Sequence, residues 1–201
     1  MEQTVNRIIE WFIVQNIIQR QDKAIYSYGL EILLFSLTTY AIILVLAIIF
    51  HRIVETIIFL LAFRFLRVHS GGYHAQTRMR CLIMSVTMYV LFLVFLINLP
   101  IEMTPPIFII SVCFVIITVF SCAPVVHENR NIYQDEYLYL KKKCRVFCLA
   151  EIIIIVILSQ LNNIILIPSS IGMIFAAVSL LFARLQTKTK KGGGEHEQII
   201  D

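Results

Sequence analysis

The stretch SYGLEILLFSLTTYAIILVLAIIF, Ser27–Phe50, decides the fold class. Across its 24 residues Glu31 is the only charge. A helix needs about 20 apolar residues to cross the hydrocarbon of a bilayer, and this stretch exceeds that. Similar runs follow at Ile53–Phe65, Leu82–Asn98, Ile107–Cys122, Val146–Leu161 and Ser169–Leu185. The composition agrees: 59% of the 201 residues are hydrophobic and 15% are charged, against about 25% charged in soluble domains. So little charge cannot cover a water-facing surface of this size, which excludes a soluble enzyme, a coiled coil and a disordered chain. A net charge of +4 is too small to indicate a nucleic-acid partner. The expectation is an all-α polytopic integral membrane protein embedded in the lipid bilayer. It has about six transmembrane helices, within a range of four to six.

The second run sets that range. It is 13 residues long, or roughly 20 Å at the helical rise, so it reads as re-entrant or strongly mismatched. Pro100, Pro105, Pro106 and Pro168 fall in the breaks between runs, where a missing amide donor does least harm. The opening stretch, Glu2–Gln19, differs from the rest. Val5, Ile8, Ile9, Phe12 and Ile13 recur at helical spacing among Asn6, Arg7, Glu10 and Gln15. That pattern predicts an amphipathic helix lying in the membrane interface, with Trp11 at headgroup level; the competing reading is a helix docked on another subunit.

Basic residues set the orientation, because they concentrate in cytoplasmic loops. With both termini inside, 16 of the 17 Lys and Arg residues are cytoplasmic and only Arg52 is outside. Residues 1–190 read as one membrane domain and 191–201 as a flexible polar tail. The five cysteines have no zinc-like spacing and read as reduced thiols. No metal and no cofactor is expected.

Polar residues are costly in a membrane protein, so a dense polar segment is a functional candidate. The densest is RVHSGGYHAQTRMRC, Arg67–Cys81, between the second and third spans on the cytoplasmic side. A cysteine attacks as thiolate, and a neighbouring imidazolium favours that form. His74 and Cys81 are seven residues apart, which a straight helix would separate by about 10.5 Å along its axis. Hydrogen-bond contact therefore requires a bend, which Gly71 and Gly72 permit. Thr77 is placed to cap the third span's helix. Cys81 would then lie in its first turns, near the positive end of the helix dipole, with Arg78 and Arg80 adding positive potential. His69 is a second-ranked base. Backbone amides near Gly71 and Gly72, the Gln76 amide and Arg67 are candidate oxyanion donors. Lys141, Lys142, Lys143 and Arg145 can hold an acidic substrate segment, or simply mark the cytoplasmic side. Glu55 is expected to pair with Arg52 at i−3, and Glu151 with a basic residue near the inner interface.

These residues resemble the AgrB family of membrane endopeptidases, which process the autoinducer propeptide in Gram-positive quorum sensing. The resemblance rests on Arg67-x-x-x-Gly71-Gly72-Tyr73-His74-Ala75 with Cys81 seven residues on. It extends to Cys122-Ala-Pro-Val-Val-His-Glu-Asn-Arg130 followed by Lys141–Lys143, and to Tyr28-Gly-Leu-Glu31. It implies a cysteine endopeptidase of the bacterial cell membrane, with Cys81 as nucleophile, His74 as base and the site facing the cytoplasm. The implied substrate is an AgrD-like propeptide with an acidic C-terminal tail. Loss of that tail through a Cys81 thioester would lead to a thiolactone or lactone ring. A homodimer is expected, partly from the resemblance and partly because Gly172, Ala176 and Ala177 offer a small-residue face for packing. A small peptide or ion transporter is the alternative, though no inverted repeat supports it. A metalloprotease would want His-Glu-x-x-His, and no such run occurs.

Overall fold

The computed structural model describes residues 2–70, 77–125 and 134–194. Among them the chain is all-helical, with no strand. The helices are α1 (Glu2–Val14), α2 (Lys23–Ile49), α3 (Ile53–Ser70), α4 (Arg78–Asn98), α5 (Thr104–Cys122), α6 (Gln134–Ser159) and α7 (Leu166–Gly194). Among the described residues, four stretches are long and apolar enough to cross a membrane: Arg20–Ile49, Met79–Asn98, Thr104–Cys122 and Asn163–Gln186. Two compact units are distinguished, residues 1–51 with 75–89 and residues 52–74 with 90–201.

In the first unit α1 ends in a Schellman turn. The Asn16 amide donates to the Ile13 carbonyl and the Ile17 amide to Phe12, while Asn16 takes φ 55°, as this cap requires of its residue beyond the helix. Reversing there, the chain lays the apolar stripe of α1 on α2. Val5, Ile9 and Ile18 are buried together, with Leu30 and Leu34 of α2 packed against them. Lys23 pairs with Glu10 across the same contact. Part of the stripe that reads as lipid-facing in the sequence is thus occupied by the chain's own second helix, while Trp11 stays 55% exposed.

The second unit holds the larger core. Leu66 of α3, Val115 and Val119 of α5, Cys144 and Cys148 of α6, and Met173, Ala177 and Leu180 of α7 form one buried cluster. Phe59 stacks on Phe92 at 4.2 Å between ring centroids and meets Phe175 edge-on at 6.0 Å. Helix α7 comes close to α3 at Gly172: a Cβ there would lie 2.8 Å from the Phe59 carbonyl oxygen and 3.2 Å from Ala62 Cβ. Gly172, Ala176 and Ala177, offered in the sequence as a face for a second copy, are therefore used inside the chain, where a small residue lets two backbones approach. Buried hydroxyls are satisfied locally, as a low-dielectric setting demands. Ser70, Thr118 and Ser170 each donate to the carbonyl one turn back, at 2.6–2.8 Å.

Helices outrun their apolar runs. Helix α3 continues five residues past Phe65, and α6 begins at Gln134, twelve residues before Val146. Hydropathy marks where lipid can lie, whereas a helix continues until its hydrogen bonds are interrupted. Pro105 and Pro106 sit in the first turn of α5 and Pro168 in that of α7, where the helix asks for no amide donor. They open helices rather than occupy loops.

Candidate functional site

Cys81 is the fourth residue of α4 and is exposed. The reason lies in Thr77. Its carbonyl accepts the Cys81 amide at 3.1 Å, which is the first helical hydrogen bond of α4. Its Oγ1 receives the Arg80 amide at 3.4 Å, a long bond but the one expected of an N-capping hydroxyl. The expected cap is therefore present, and the thiol stands in the first turns of the helix, at the positive end of its dipole. Arg80 is exposed beside it. One turn further on, Ser85 Oγ donates to the Cys81 carbonyl at 2.9 Å. Gly71, Gly72, His74 and Gln76 lie outside the described residues, as does the side chain of Arg78.

On the other side of that segment, in the second unit, the end of α3 is held at successive residues. Cys144 Sγ donates to the His69 carbonyl at 2.7 Å. The Val125 amide meets the Ser70 carbonyl at 3.4 Å. His69 Nδ1 lies 2.8 Å from the Phe65 carbonyl; a carbonyl only accepts, so Nδ1 is the donor. The imidazole stacks on Phe147 at 3.7 Å, with 15° between the ring planes. Cys144 and Phe147, one turn apart on α6, thus hold the last turn of α3 just before the paired glycines. Sequence reasoning missed this clamp. It read Cys144 and Cys148 only as reduced thiols, and nothing in the spacing along α6 points to α3. The stretch from Cys122 to Val125, singled out in the sequence, reaches the same place through Val125.

Arg67 lies on the last turns of α3 with its guanidinium 5.5 Å from the centroid of Phe63. Lys142 and Lys143 are exposed, Lys141 is half-buried, and the Lys143 ammonium lies 5.9 Å from the Phe147 ring centroid. Consecutive helix residues are turned about 100° apart, so the three lysines spread around α6. Arg145 points elsewhere: it donates to the Phe120 carbonyl at 3.2 Å and lies over the Phe120 ring at 4.7 Å. Glu55 pairs with Arg52 at 2.8 Å, as its spacing foretold. Glu151 does not find the expected cation. It is 5% exposed and neither carboxylate oxygen has a hydrogen-bond partner among the described residues. At its depth on α6 the surrounding positions are apolar.

Fold and site together define a multi-pass helical membrane protein with an exposed cysteine at a capped helix start. The family model for accessory gene regulator B matches residues 4–182, and the chain belongs to that family. A putative AgrB-like protein of Listeria innocua serovar 6a is 26% identical over 157 residues, which is 77% of this chain and 74% of the relative. A putative AgrB-like protein of Listeria monocytogenes serotype 4a matches to the same extent. A third, from Clostridium acetobutylicum, is 41% identical over 63 residues, 31% of this chain and 30% of the relative. No solved structure matches. Membership supports a role in accessory gene regulator peptide processing at a membrane.

Proposed function

We propose that this protein is a cysteine endopeptidase of the bacterial cell membrane that matures an AgrD-like propeptide. In this reading α3 and α6 join the four long apolar helices as spans. Both termini are cytoplasmic, α1 lies at the interface and the reaction faces the cytoplasm. The single observation that carries the reading is the exposed Cys81 in the first turns of a Thr77-capped helix, on the chain of a family that processes peptides.

The Cys81 thiolate attacks the carbonyl that ends the signal sequence. His74 takes the thiol proton and returns it to the amine of the departing acidic tail. Donors for the oxyanion come from the Gly71 and Gly72 amides, the Gln76 amide or Arg67. The tail is drawn by Arg78, Arg80 and Lys141–Lys143. A thioester remains on Cys81. A thiol or hydroxyl inside the bound peptide then attacks the same carbonyl as His74 takes its proton, Cys81 leaves as thiolate, and a thiolactone or lactone results. Exchange of one thioester for another is nearly isoenergetic, so a site that excludes water favours the ring over hydrolysis.

The test is processing of a synthetic propeptide in proteoliposomes. Cys81→Ala should abolish cleavage while the protein remains folded and inserted. His74→Gln should slow it by about 10²- to 10⁴-fold, the usual contribution of a general base. Unchanged cleavage by Cys81→Ala contradicts the reading.

A further inference from the structure

A cavity of about 580 Å³ lies in the second unit, at the end away from Ser70. Arg52 and Glu55 at the start of α3 contribute its charge, Thr104 and Asn163 its neutral polar wall, and Ile97 and Ile167 part of its apolar wall. It is roughly 25 Å along α3 from Ser70, so it is separate from the clamp described above.

Two observations fix what it would hold. The first is depth. Asn98 ends one long apolar helix, and Thr104 and Asn163 begin two others. Leu96, Ile97 and Leu99 beside the first boundary, and Thr104 and Asn163 themselves, line the cavity. Three membrane boundaries meeting around one opening put it at the level of lipid headgroups. Ile97, Met103 and Ile164 are 53, 52 and 44% exposed nearby, a surface suited to acyl chains.

The second observation is charge. Arg52 Nη1 donates to Glu55 Oε1 at 2.8 Å, the arginine side chain 44% exposed and the glutamate 9%. Arginine has further donors that one carboxylate oxygen does not use, and a phosphate is their natural acceptor. Glu55, however, sets an acidic oxygen beside that anion position, which disfavours a purely anionic ligand and rewards one carrying an ammonium group. The opening therefore presents a cation, an anion and an apolar wall together.

We propose that this cavity binds the headgroup of an amine-bearing phospholipid, the phosphate on Arg52 and the ammonium on Glu55, with the acyl chains against the neighbouring isoleucines.

The experiment uses the full chain in nanodiscs of phosphatidylcholine doped with equal amounts of phosphatidylethanolamine and phosphatidylglycerol. Lipid retained after transfer to detergent is quantified by native mass spectrometry. Phosphatidylethanolamine should be retained about tenfold over either competitor, the ratio that one additional charge-assisted contact supplies. Arg52→Gln and Glu55→Gln should each remove that preference. Ile167→Trp, which narrows the cavity from its apolar wall and leaves both charged residues in the chain, should lower retention as well, so the proposal stays testable if an Arg52 variant fails to fold. Equal retention of all three lipids, a preference for phosphatidylglycerol, or a preference that survives Glu55→Gln overturns the proposal. Free phosphoethanolamine, added as a competitor, should not displace the lipid at matched concentration; displacement would show a soluble ligand and overturn the lipid assignment.

Discussion

Replacing Gly172 by alanine probes the α3–α7 crossing. The added Cβ would sit 2.8 Å from the Phe59 carbonyl oxygen, 3.2 Å from Ala62 Cβ and 3.2 Å from the Phe63 amide nitrogen. Two of these three neighbours are backbone atoms of α3, which cannot swing aside as a side chain does. The helices must part by roughly half an ångström, and overpacking of this kind costs about 1–3 kcal/mol. Alanine regains up to about 1 kcal/mol of helix propensity, and because two of the clashing atoms are backbone the cost sits at the upper end of that range, leaving a net loss of up to roughly 2 kcal/mol. Gly29 supplies the control, since a Cβ there meets nothing within 4 Å. Gly29→Ala should be neutral or stabilising by up to about 1 kcal/mol. Unfolding in mixed micelles, followed by circular dichroism, measures both variants. A Gly172→Ala protein as stable as the parent would refute the close crossing and return Gly172 to the pool of residues able to face a second copy.

Further outcomes follow from other contacts. Thr77→Ala removes an N-cap and should cost about 1 kcal/mol, while Thr77→Ser should retain most of it; unfolding midpoints in the same micelles decide. The Glu10 carboxyl is held below its ordinary 4.5 by the Lys23 hydrogen bond and charge, the nearby Arg20 adding a smaller effect. A carboxyl lowered on folding contributes stability above its unfolded value and loses it as the pH falls through the folded one. Docking of α1 on α2 should therefore loosen below about pH 4.5 and lose this pH dependence in Lys23→Gln, as read by Trp11 fluorescence. Glu151→Leu replaces a buried carboxyl that has no partner among the described residues and should raise stability by about 1 kcal/mol or more. A fall would reveal a partner for Glu151.

The sequence made the local features readable and left the contacts between helices open. The Thr77 cap and the Arg52–Glu55 pair depend on residues three or four apart, a spacing that any helix brings together. The apolar runs stop short of the helices at α3 and α6 because Arg67 and the lysines of α6 bound an apolar run without ending a helix. The clamp of His69 by Cys144 and Phe147 depends on how α3 registers against α6, which no spacing within one helix reveals. The same holds for Gly172, Ala176 and Ala177: a small-residue stripe says that something approaches closely, and the fold names α3 as what approaches Gly172. His74 and the paired glycines, the most informative residues of the sequence, lie outside the described residues, so their roles rest on chemistry and family.

The most direct measurement of the central claim is capture of the acyl-enzyme. Protein in proteoliposomes is given a propeptide whose internal nucleophile has been replaced by alanine, quenched in acid, digested and analysed by mass spectrometry. The signal segment should be attached to Cys81 through a bond that neutral hydroxylamine cleaves, with no adduct on Cys113, Cys122, Cys144 or Cys148. Release of the acidic tail with an unmodified Cys81, or an adduct on another residue, would contradict that claim.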